Sequence, residues 1–320
     1  MIYWGIIGCG DVTEVKSGPA FNKVNGSSLH AVMRRNATKA ADYAKRHSVA
    51  KWYDDAYALI NNPSVTAIYV ATPPSTHEEY AIAAMKAGKP VYVEKPFCMN
   101  ASSARRIAEF SKSHNIKLCV AHYRRQMPIF KKIKELLDNN EIGTILNVNM
   151  IFFQEGKKDA PGNWRIDPAV SGGGYFHDLA PHQLDLMIYF FKPPVYIKGV
   201  AQNQSKDYKA DDAVACTMLF ENGALFNGLW SFSVPKFLER DHCEIIGTSG
   251  SISFSVFEMK KIKINRNGKE EIISFDPLQH VQQPMIEKVV EYFSDGGVNP
   301  CSADDGYTVM WMIDEVTRKY

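Results

Sequence analysis

The first residues of the chain constrain its fold more than any other segment. A short apolar run, Ile2–Ile7, leads directly into a turn that reads GCGDVT. A buried strand followed by such a turn and a helix is typical of dinucleotide binding, because the first glycine permits the tight turn and the second lets the backbone approach the pyrophosphate. Thr13 stands where a third glycine is expected, and an ordinary tight turn is the alternative. The predicted cofactor-binding residues of this turn are Gly8, Gly10, Asp11, Val12 and Thr13.

The segment after the second predicted strand, Ser28–Met33, indicates which nicotinamide cofactor is used. About twenty residues past the turn, NAD-binding domains usually carry Asp or Glu, whose carboxylate bonds the ribose 2′-hydroxyl. This chain has Arg34 and Arg35 there, with Lys39 one turn further on. Guanidinium groups attract a 2′-phosphate and bind it bidentately, whereas a carboxylate repels it. The sequence therefore predicts NADP(H) rather than NAD(H), with a solvated basic strand end as the alternative.

Strands and helices alternate through residues 1–122. Further strands are predicted at Thr66–Ala71, Pro90–Val93 and Lys117–Ala121, with helical segments between them. This alternation is typical of a doubly wound parallel sheet with helices on both faces, in which ligands bind at the carboxyl ends of strands. The residues predicted to face the cofactor there are Thr72, Pro73, His77, Glu94 and Lys95. For His77 a position in the core is the alternative.

Residues 123–320 have a different pattern. Strands rich in β-branched and aromatic residues, beginning with Ile145–Phe153, follow one another through short connections such as Glu221–Gly223. Such connections are typical of hairpins, so a large, open, mostly antiparallel sheet is predicted. The fold class is therefore α/β: a Rossmann domain at 1–122, then an α+β substrate and dimerisation domain at 123–320 whose last helix can pack back on the first domain.

A sheet with few covering helices leaves one face exposed. Leu225, Leu229 and Trp230 lie on the predicted strand Ala224–Ser231, and Phe232 follows it. An apolar sheet face exposed to solvent favours a homodimer, and simple core packing of the same residues is the alternative.

The segment Gly172–Asp185 follows three glycines with a helical pattern. Asp178, His182 and Asp185 are spaced four and three residues apart, so they share one helix face. Three interpretations are open on these residues alone: a metal site, an acid–base pair beside a substrate, or structural residues. No CxxC pair or other ligand cluster supports a metal, and none is predicted.

Several motifs, taken in order, resemble those of the Gfo/Idh/MocA oxidoreductases. They are the glycine-rich turn, Glu94-Lys95-Pro96, Trp164-Arg165, Gly172–Asp185 and Glu244–Gly250. The resemblance covers essentially the whole chain and implies hydride transfer between a nicotinamide cofactor and a sugar, cyclitol or similar carbinol.

The same resemblance implies roles for individual residues. Lys95, Asp178 and His182 would be the catalytic and substrate-orienting residues, and Trp164 and Arg165 would lie near the nicotinamide end of the cofactor. The start of the chain, the arginines after the second strand and the Trp-Arg pair together resemble the NADPH-using branch that includes 1,5-anhydrofructose reductase.

The chemistry of these side chains suits that reaction. Alcohol oxidation removes the hydroxyl proton as hydride leaves the same carbon, and ketone reduction is the reverse. Because free histidine has a pKa of about 6.5, His182 is predicted to be the proton donor or acceptor. The Lys95 ammonium can polarise the carbonyl oxygen and stabilise the alkoxide. Asp178 can orient the substrate hydroxyl, and Asp185 is predicted to be structural.

Composition narrows the remaining function classes. A net charge of +2 over 320 residues provides no basic field for nucleic acid. No apolar run approaches the roughly 20 residues of a membrane helix, and six scattered cysteines indicate a reducing, cytoplasmic compartment. A small sugar-like molecule is the predicted partner. Two alternatives to a simple oxidoreductase remain: a non-catalytic NADP-sensing regulator and a redox-assisted glycosidase that recycles its cofactor.

Overall fold

The computed structural model describes residues 1–156 and 163–318, which divide into two units. The first unit comprises Met1–Arg124 and Leu278–Tyr307, and the second comprises Arg125–Pro277 and the segment from Thr308 on. Each unit contains one β-sheet.

The sheet of the first unit has six parallel strands in the order β3-β2-β1-β4-β5-β6. They are β1 Ile2–Ile7, β2 Ser27–Met33, β3 Lys51–Tyr53, β4 Ala67–Val70, β5 Val91–Val93 and β6 Leu118–Val120. Every residue of β4, β5 and β6 is buried, which requires cover on both faces of the sheet. The predicted Rossmann arrangement is confirmed.

Helices follow the strands of this sheet in the order that the sequence predicts. They are α1 Asp11–Val15, α2 Ala37–Arg46, α3 Ala56–Ile60, α4 His77–Lys86 and α5 Ala101–Ser113. Two of them begin at asparagine caps: the side chains of Asn36 and Asn100 accept hydrogen bonds from backbone N–H groups three residues on. The first helix ends after five residues, and a 3₁₀ turn at Gly18–Asn22 follows it.

Aromatic side chains fill the core of the first unit. The Trp4 ring centroid lies 4.8 Å from that of Phe21 and 5.6 Å from that of Phe293. Tyr69 of β4 and Tyr92 of β5 stack with their centroids 5.1 Å apart, and both are fully buried. Buried tyrosines need partners for their hydroxyls, and the partners of this pair belong to the candidate site described below.

The sheet of the second unit has eight strands in the order β14-β13-β12-β11-β7-β10-β9-β8. They are β7 Ile145–Glu155, β8 Pro194–Gln202, β9 Ala213–Phe220, β10 Leu225–Val234, β11 Arg240–Gly247, β12 Gly250–Phe254, β13 Lys261–Arg266 and β14 Lys269–Ser274. The β7–β10 pair is parallel, and the other pairs of this described sheet are antiparallel. The predicted mostly antiparallel sheet is confirmed.

Burial alternates along β9 and β10, so one face of the second sheet is covered and the other is open. Trp230 and Phe232 are buried on the covered face, whereas Leu225 and Leu229 are each 44% exposed on the other. Each of the two interpretations therefore applies to two of the four residues. Core packing describes the first pair, and an exposed apolar face describes the second.

The remaining helices pack in both units. The second unit contains α6 Pro128–Asp138, α7 Pro168–Ser171 and α8 Gly174–Phe191. Nearer the C-terminus, α9 Gln283–Phe293 belongs to the first unit, and α10 Ala303–Thr317 follows it. None of the helices within residues 1–156 and 163–318 is long and apolar enough to cross a bilayer.

Candidate active site

The glycine-rich turn connects β1 to α1 and packs against the loop after β4. Gly8 has a φ of +95°, which L side chains rarely adopt, and a β-carbon there would lie 2.8 Å from the backbone nitrogen of Thr72. Only glycine fits this position. Thr13 is buried, and its hydroxyl donates to the Gly10 carbonyl oxygen at 2.8 Å. The residue that replaces the third glycine thus closes the turn with its own side chain.

Arg34 follows β2 and reaches back to the same turn. Its Nη1 donates to the Cys9 carbonyl oxygen at 3.3 Å. Arg34 is half-buried, and Arg35 is exposed beside it. Burial raises the pKa of the Cys9 thiol to about 11, so this cysteine is protonated at neutral pH and unsuited to nucleophilic chemistry. The strand end therefore presents the Arg34 guanidinium next to the glycine-rich turn.

Glu94 and Lys95 follow β5, and their side chains have different environments. Glu94 is 4% exposed, and its Oε1 accepts hydrogen bonds from Tyr69 Oη and Gln282 Nε2, both at 2.5 Å. Its Oε2 accepts the backbone N–H of Lys95 at 3.0 Å. Lys95 itself is half-buried, and its peptide bond to Pro96 is cis. The acid is thus part of the interior.

His77 is the first residue of α4, and its ring is fully buried. The Nε2 atom lies 2.7 Å from the Thr72 carbonyl oxygen, and Nδ1 lies 3.0 and 3.2 Å from the carbonyl oxygens of Pro96 and Phe97. Burial lowers the pKa of His77. This position matches the core alternative, because the ring connects the loop after β4 to the loop after β5. Thr72 and Pro73, in the first of these loops, are half-buried.

In the second unit, three of the predicted site residues lie together. Asp178 Oδ2 accepts a hydrogen bond from Arg165 Nε at 2.9 Å, and the Asp178 side chain is only 11% exposed. The Arg165 guanidinium also lies over the Trp164 ring, 4.7 Å from its centroid. A cation between an aromatic face and a carboxylate is held in a defined orientation.

His182 lies one helical turn after Asp178 on α8. It is 4% exposed, and its ring meets the Phe257 ring edge to face with the centroids 5.8 Å apart. Pro181 directly precedes it inside the helix and cannot donate the usual helical hydrogen bond. The helix therefore presents Asp178 and His182 on one face, as predicted.

Two of the three glycines at the start of this helix have backbone angles that other residues rarely adopt. Gly172 ends α7 with a φ of +88°, and Gly174 begins α8 with a φ of +81°. A β-carbon on Gly174 would lie 2.5 Å from the β-carbon of Ala210. The glycines thus let the chain reverse tightly between two helices.

Asp185 is fully buried, and its carboxylate is paired with Arg125. The Nε atom of Arg125 lies 3.0 Å from both carboxylate oxygens, and Nη2 lies 2.8 Å from Oδ1. This geometry agrees with the structural role predicted for Asp185. Within the described residues, no group of three His, Cys, Asp or Glu side chains is arranged to hold a metal ion.

Comparison with known proteins identifies the family. Residues 2–122 match a model described as oxidoreductase family, NAD-binding Rossmann fold, and residues 130–253 match the GFO/IDH/MocA C-terminal domain. A protein described as Oxidoreductase P35, from Formosa agariphila, is 46% identical over 317 residues, which cover 98% of this chain and 97% of that protein. The chain belongs to the Gfo/Idh/MocA oxidoreductases. The prediction that it is an enzyme of this class is confirmed.

Two more distant similarities concern the fold and the predicted likeness to the 1,5-anhydrofructose reductase branch. A structure described as levoglucosan dehydrogenase in complex with NADH and levoglucosan superposes with a TM-score of 0.87 at 22% identity, covering 98% of this chain and 96% of that one. A 1,5-anhydro-D-fructose reductase from Ensifer adhaerens is 24% identical over 251 residues, which cover 78% of this chain and 74% of that protein. Membership of the Gfo/Idh/MocA family is therefore confirmed, while the likeness to the 1,5-anhydrofructose reductase branch is distant.

The sequence patterns do not reveal three residues that contact the predicted site residues. They are Tyr69, Gln282 and Phe257. A signal existed for Tyr69, because a tyrosine in an otherwise apolar buried strand requires a hydrogen-bond partner for its hydroxyl. Gln282 and Phe257 lie outside any periodic pattern, and their sequence neighbourhoods do not reveal their contacts.

Proposed function

We propose that this chain is an NADP(H)-dependent oxidoreductase that transfers a hydride between nicotinamide and a carbonyl or secondary alcohol of a sugar-like or cyclitol molecule. The choice of NADP(H) rests on the position of Arg34, which lies at the end of β2 beside the glycine-rich turn. Its guanidinium suits a 2′-phosphate, which a carboxylate there would repel. The sugar-like substrate is supported by the names of the relatives, among them levoglucosan dehydrogenase.

The residues of the first unit fit a dinucleotide. Gly8 permits the tight turn, because a β-carbon there would lie 2.8 Å from the backbone nitrogen of Thr72, and Gly10 lets the backbone approach a pyrophosphate. Asp11, Val12 and Thr13 begin the helix behind it, and Thr72 and Pro73 border the turn. When bound, the nicotinamide accepts or donates the hydride.

We assign the proton and charge chemistry to three side chains of this protein. In the oxidation direction, the hydroxyl proton passes from the substrate oxygen to a ring nitrogen of His182 as the C–H hydride leaves. The Lys95 ammonium donates to the same oxygen and stabilises its negative charge. Asp178, oriented by Arg165, accepts a hydrogen bond from a substrate hydroxyl. Reduction uses the same groups in reverse.

A panel of keto-sugars and polyols tests this proposal by the change in NADPH fluorescence. Removing a donor to the developing oxyanion typically costs about 10²–10³-fold in kcat, and removing a general acid–base about 10²–10⁴-fold. We therefore expect losses of these sizes in Lys95→Ala and His182→Ala, and retained activity in either variant contradicts its role. Cofactor binding without turnover of any substrate would point to the sensing regulator. Cleavage of a glycoside with catalytic amounts of cofactor would point to the redox-assisted glycosidase.

We also propose that the enzyme is a cytoplasmic homodimer that uses the open face of the second sheet. A concavity of about 730 Å³ on this face is lined by side chains of β7, β8, β9 and β10. Tyr196, Val200 and Leu229 are 51, 56 and 44% exposed there. All six cysteines are buried and none forms a disulfide, which fits a reducing compartment.

Sedimentation equilibrium tests the dimer. Leu229→Lys should shift the protein towards monomer, because an interface core excludes unpaired charge. Val298→Lys, at an 87% exposed position of the first unit, is the control. An unchanged mass in Leu229→Lys contradicts this interface.

A further inference from the structure

Glu94 is a buried acid whose two carboxylate oxygens accept hydrogen bonds from different parts of the unit. Tyr69 and Gln282 both donate to Oε1 at 2.5 Å, and the backbone N–H of Lys95 donates to Oε2 at 3.0 Å. One carboxylate oxygen is therefore held by the interior of the unit, and the other holds the backbone of the next residue. Hydrogen bonds to an ionised acceptor are about twice as strong as neutral ones, so this arrangement is stiff.

The donors to Oε1 are themselves fixed. Tyr69 and Gln282 are fully buried, and Gln282 Oε1 accepts a hydrogen bond from Tyr92 Oη at 3.2 Å. Burial first, and then the charge of Glu94, raises the pKa of Tyr69 well above its usual value. Its hydroxyl therefore keeps its proton and remains a donor at any pH at which the enzyme works.

The backbone after Lys95 is held from the other side. The His77 ring lies within hydrogen-bond distance of the carbonyl oxygens of Pro96 and Phe97, and its second nitrogen reaches the Thr72 carbonyl oxygen. Buried contacts thus fix the chain both at the N–H of Lys95 and at the two residues that follow it.

We propose that Glu94, held by Tyr69 and Gln282, is a positioning residue that sets the backbone of Lys95 and thereby the point at which its ammonium meets the substrate oxygen. The inference rests on the proposed role of Lys95. A misplacement of about 1 Å in a catalytic group can cost about 10²-fold in rate, so the effect of loosening this contact is measurable. A carboxylate suits position 94 because all three neighbours donate. A glutamine there would turn an N–H₂ group towards either a donor side chain or the Lys95 N–H.

Tyr69→Phe is the most selective variant, since it removes one hydroxyl and no carbon atom. We expect kcat to fall by about ten- to a hundredfold, with the dissociation constant for NADPH changed less than twofold. Glu94→Gln should lower kcat at least as much, because it disturbs the Lys95 N–H directly.

A double-mutant cycle separates positioning from simple stabilisation. Tyr69→Phe is measured alone and in the Lys95→Met background. If Glu94 acts through Lys95, the Tyr69 hydroxyl can affect the rate only while the Lys95 ammonium is present. In the Lys95→Met background, Tyr69→Phe should therefore lower kcat less than twofold. A purely structural contribution should cost the same factor in both backgrounds.

Ser27→Ala is the matched control. It removes the acceptor of another buried hydrogen bond, from Trp4 Nε1 at 3.0 Å, at the amino end of the same sheet. We expect Tm to fall about as much as in Tyr69→Phe while kcat stays unchanged, because this bond lies at the opposite edge from Lys95.

The outcomes distinguish this inference from the proposed function. If Lys95→Met retains kcat, the proposed role of Lys95 is wrong and the inference falls with it. If Lys95→Met loses kcat and Tyr69→Phe costs the same factor in both backgrounds, the inference alone is overturned. An unchanged kcat in Tyr69→Phe overturns it as well.

Discussion

The two units hold the buried acids next to Lys95 and along α8 by different means. In the first unit, Glu94 is held by a tyrosine hydroxyl, a glutamine amide and a backbone N–H, which are all neutral donors. In the second, Asp178 and Asp185 are each paired with an arginine. Neutral donors fix an acid without cancelling its charge, whereas an arginine does both. The acid beside Lys95 therefore keeps a field that can act on the lysine, while the acids around α8 are electrically balanced.

The largest effect on stability should come from breaking the buried ion pair of the second unit. Arg125→Met removes the guanidinium that is paired with the Asp185 carboxylate, which is 0% exposed. Loss of one partner of a buried pair costs about 3–5 kcal/mol. Urea unfolding at pH 7 should show this loss, and the double variant Arg125→Met/Asp185→Leu should recover much of it. A loss below about 1 kcal/mol would mean that the pair is solvated, and the contrast between the units would fail.

The next effect concerns pH and a buried base beside the glycines of the second unit. Burial lowers the pKa of His177 to about 4, against about 6.5 in an unfolded chain. The unfolded chain therefore binds this proton first as pH falls, so stability is full above about pH 6.5 and decreases towards pH 4. The free energy of unfolding should drop by about 2–3 kcal/mol between pH 7.5 and 4.5 through this group. In His177→Asn the drop should be smaller by that amount, and equal drops would contradict the assignment.

A smaller effect is expected at the cofactor end of the first unit. Arg34→Ala should raise the KM for NADPH by about ten- to a hundredfold, since hydrogen bonds to charged groups contribute about 1.5–3 kcal/mol. The KM for NADH should change less than threefold, because NADH lacks the 2′-phosphate. Arg35→Ala is the comparison variant, with a smaller loss expected from its greater exposure. Equal losses with both cofactors would show that Arg34 supports the glycine-rich turn, through its bond to Cys9, rather than the phosphate.

The smallest effect should come from an ion pair on the surface of the first unit. Arg46 contacts Glu14 at 2.7 Å, and its hydrogen bond lowers the pKa of Glu14 to about 2. This contribution is present above the unfolded value of about 4.5 and is lost as pH falls towards 2. Because exposed pairs contribute little in salt, Arg46→Ala should leave the urea midpoint at pH 7 nearly unchanged. A large loss would mean that this exposed pair stabilises the fold as much as a buried pair does.

The main elements of the fold could be predicted from local pattern, and the exceptions have a common cause. The bounds of β1, Ile2–Ile7, match the prediction, because the apolar run stops at Gly8. Local pattern does not predict β3, Lys51–Tyr53, or β14, Lys269–Ser274. Both lie at sheet edges and consist largely of exposed residues, so neighbouring strands rather than their own pattern make them strands.

The candidate site shows the same limit more strongly. Motifs predict Lys95, Asp178 and His182 as site residues, but they do not predict which residues contact them. Glu94 and Gln282 are 188 residues apart in the sequence, and no local periodicity can report a contact of that range. The position of His77 was open for a related reason, since a histidine after a strand can face a ligand or the core, and only packing decides.

The contact between Glu94 and Gln282 forms only late in synthesis of the chain. The first unit is discontinuous, since Met1–Arg124 is completed by a segment that begins at Leu278. About 150 residues must be synthesised between the two parts, which at about 5–20 residues per second takes on the order of ten seconds. During that interval the nascent chain already carries the glycine-rich turn and Lys95, yet lacks the glutamine that fixes the neighbouring acid. The first unit therefore becomes complete only after the whole second sheet has been synthesised.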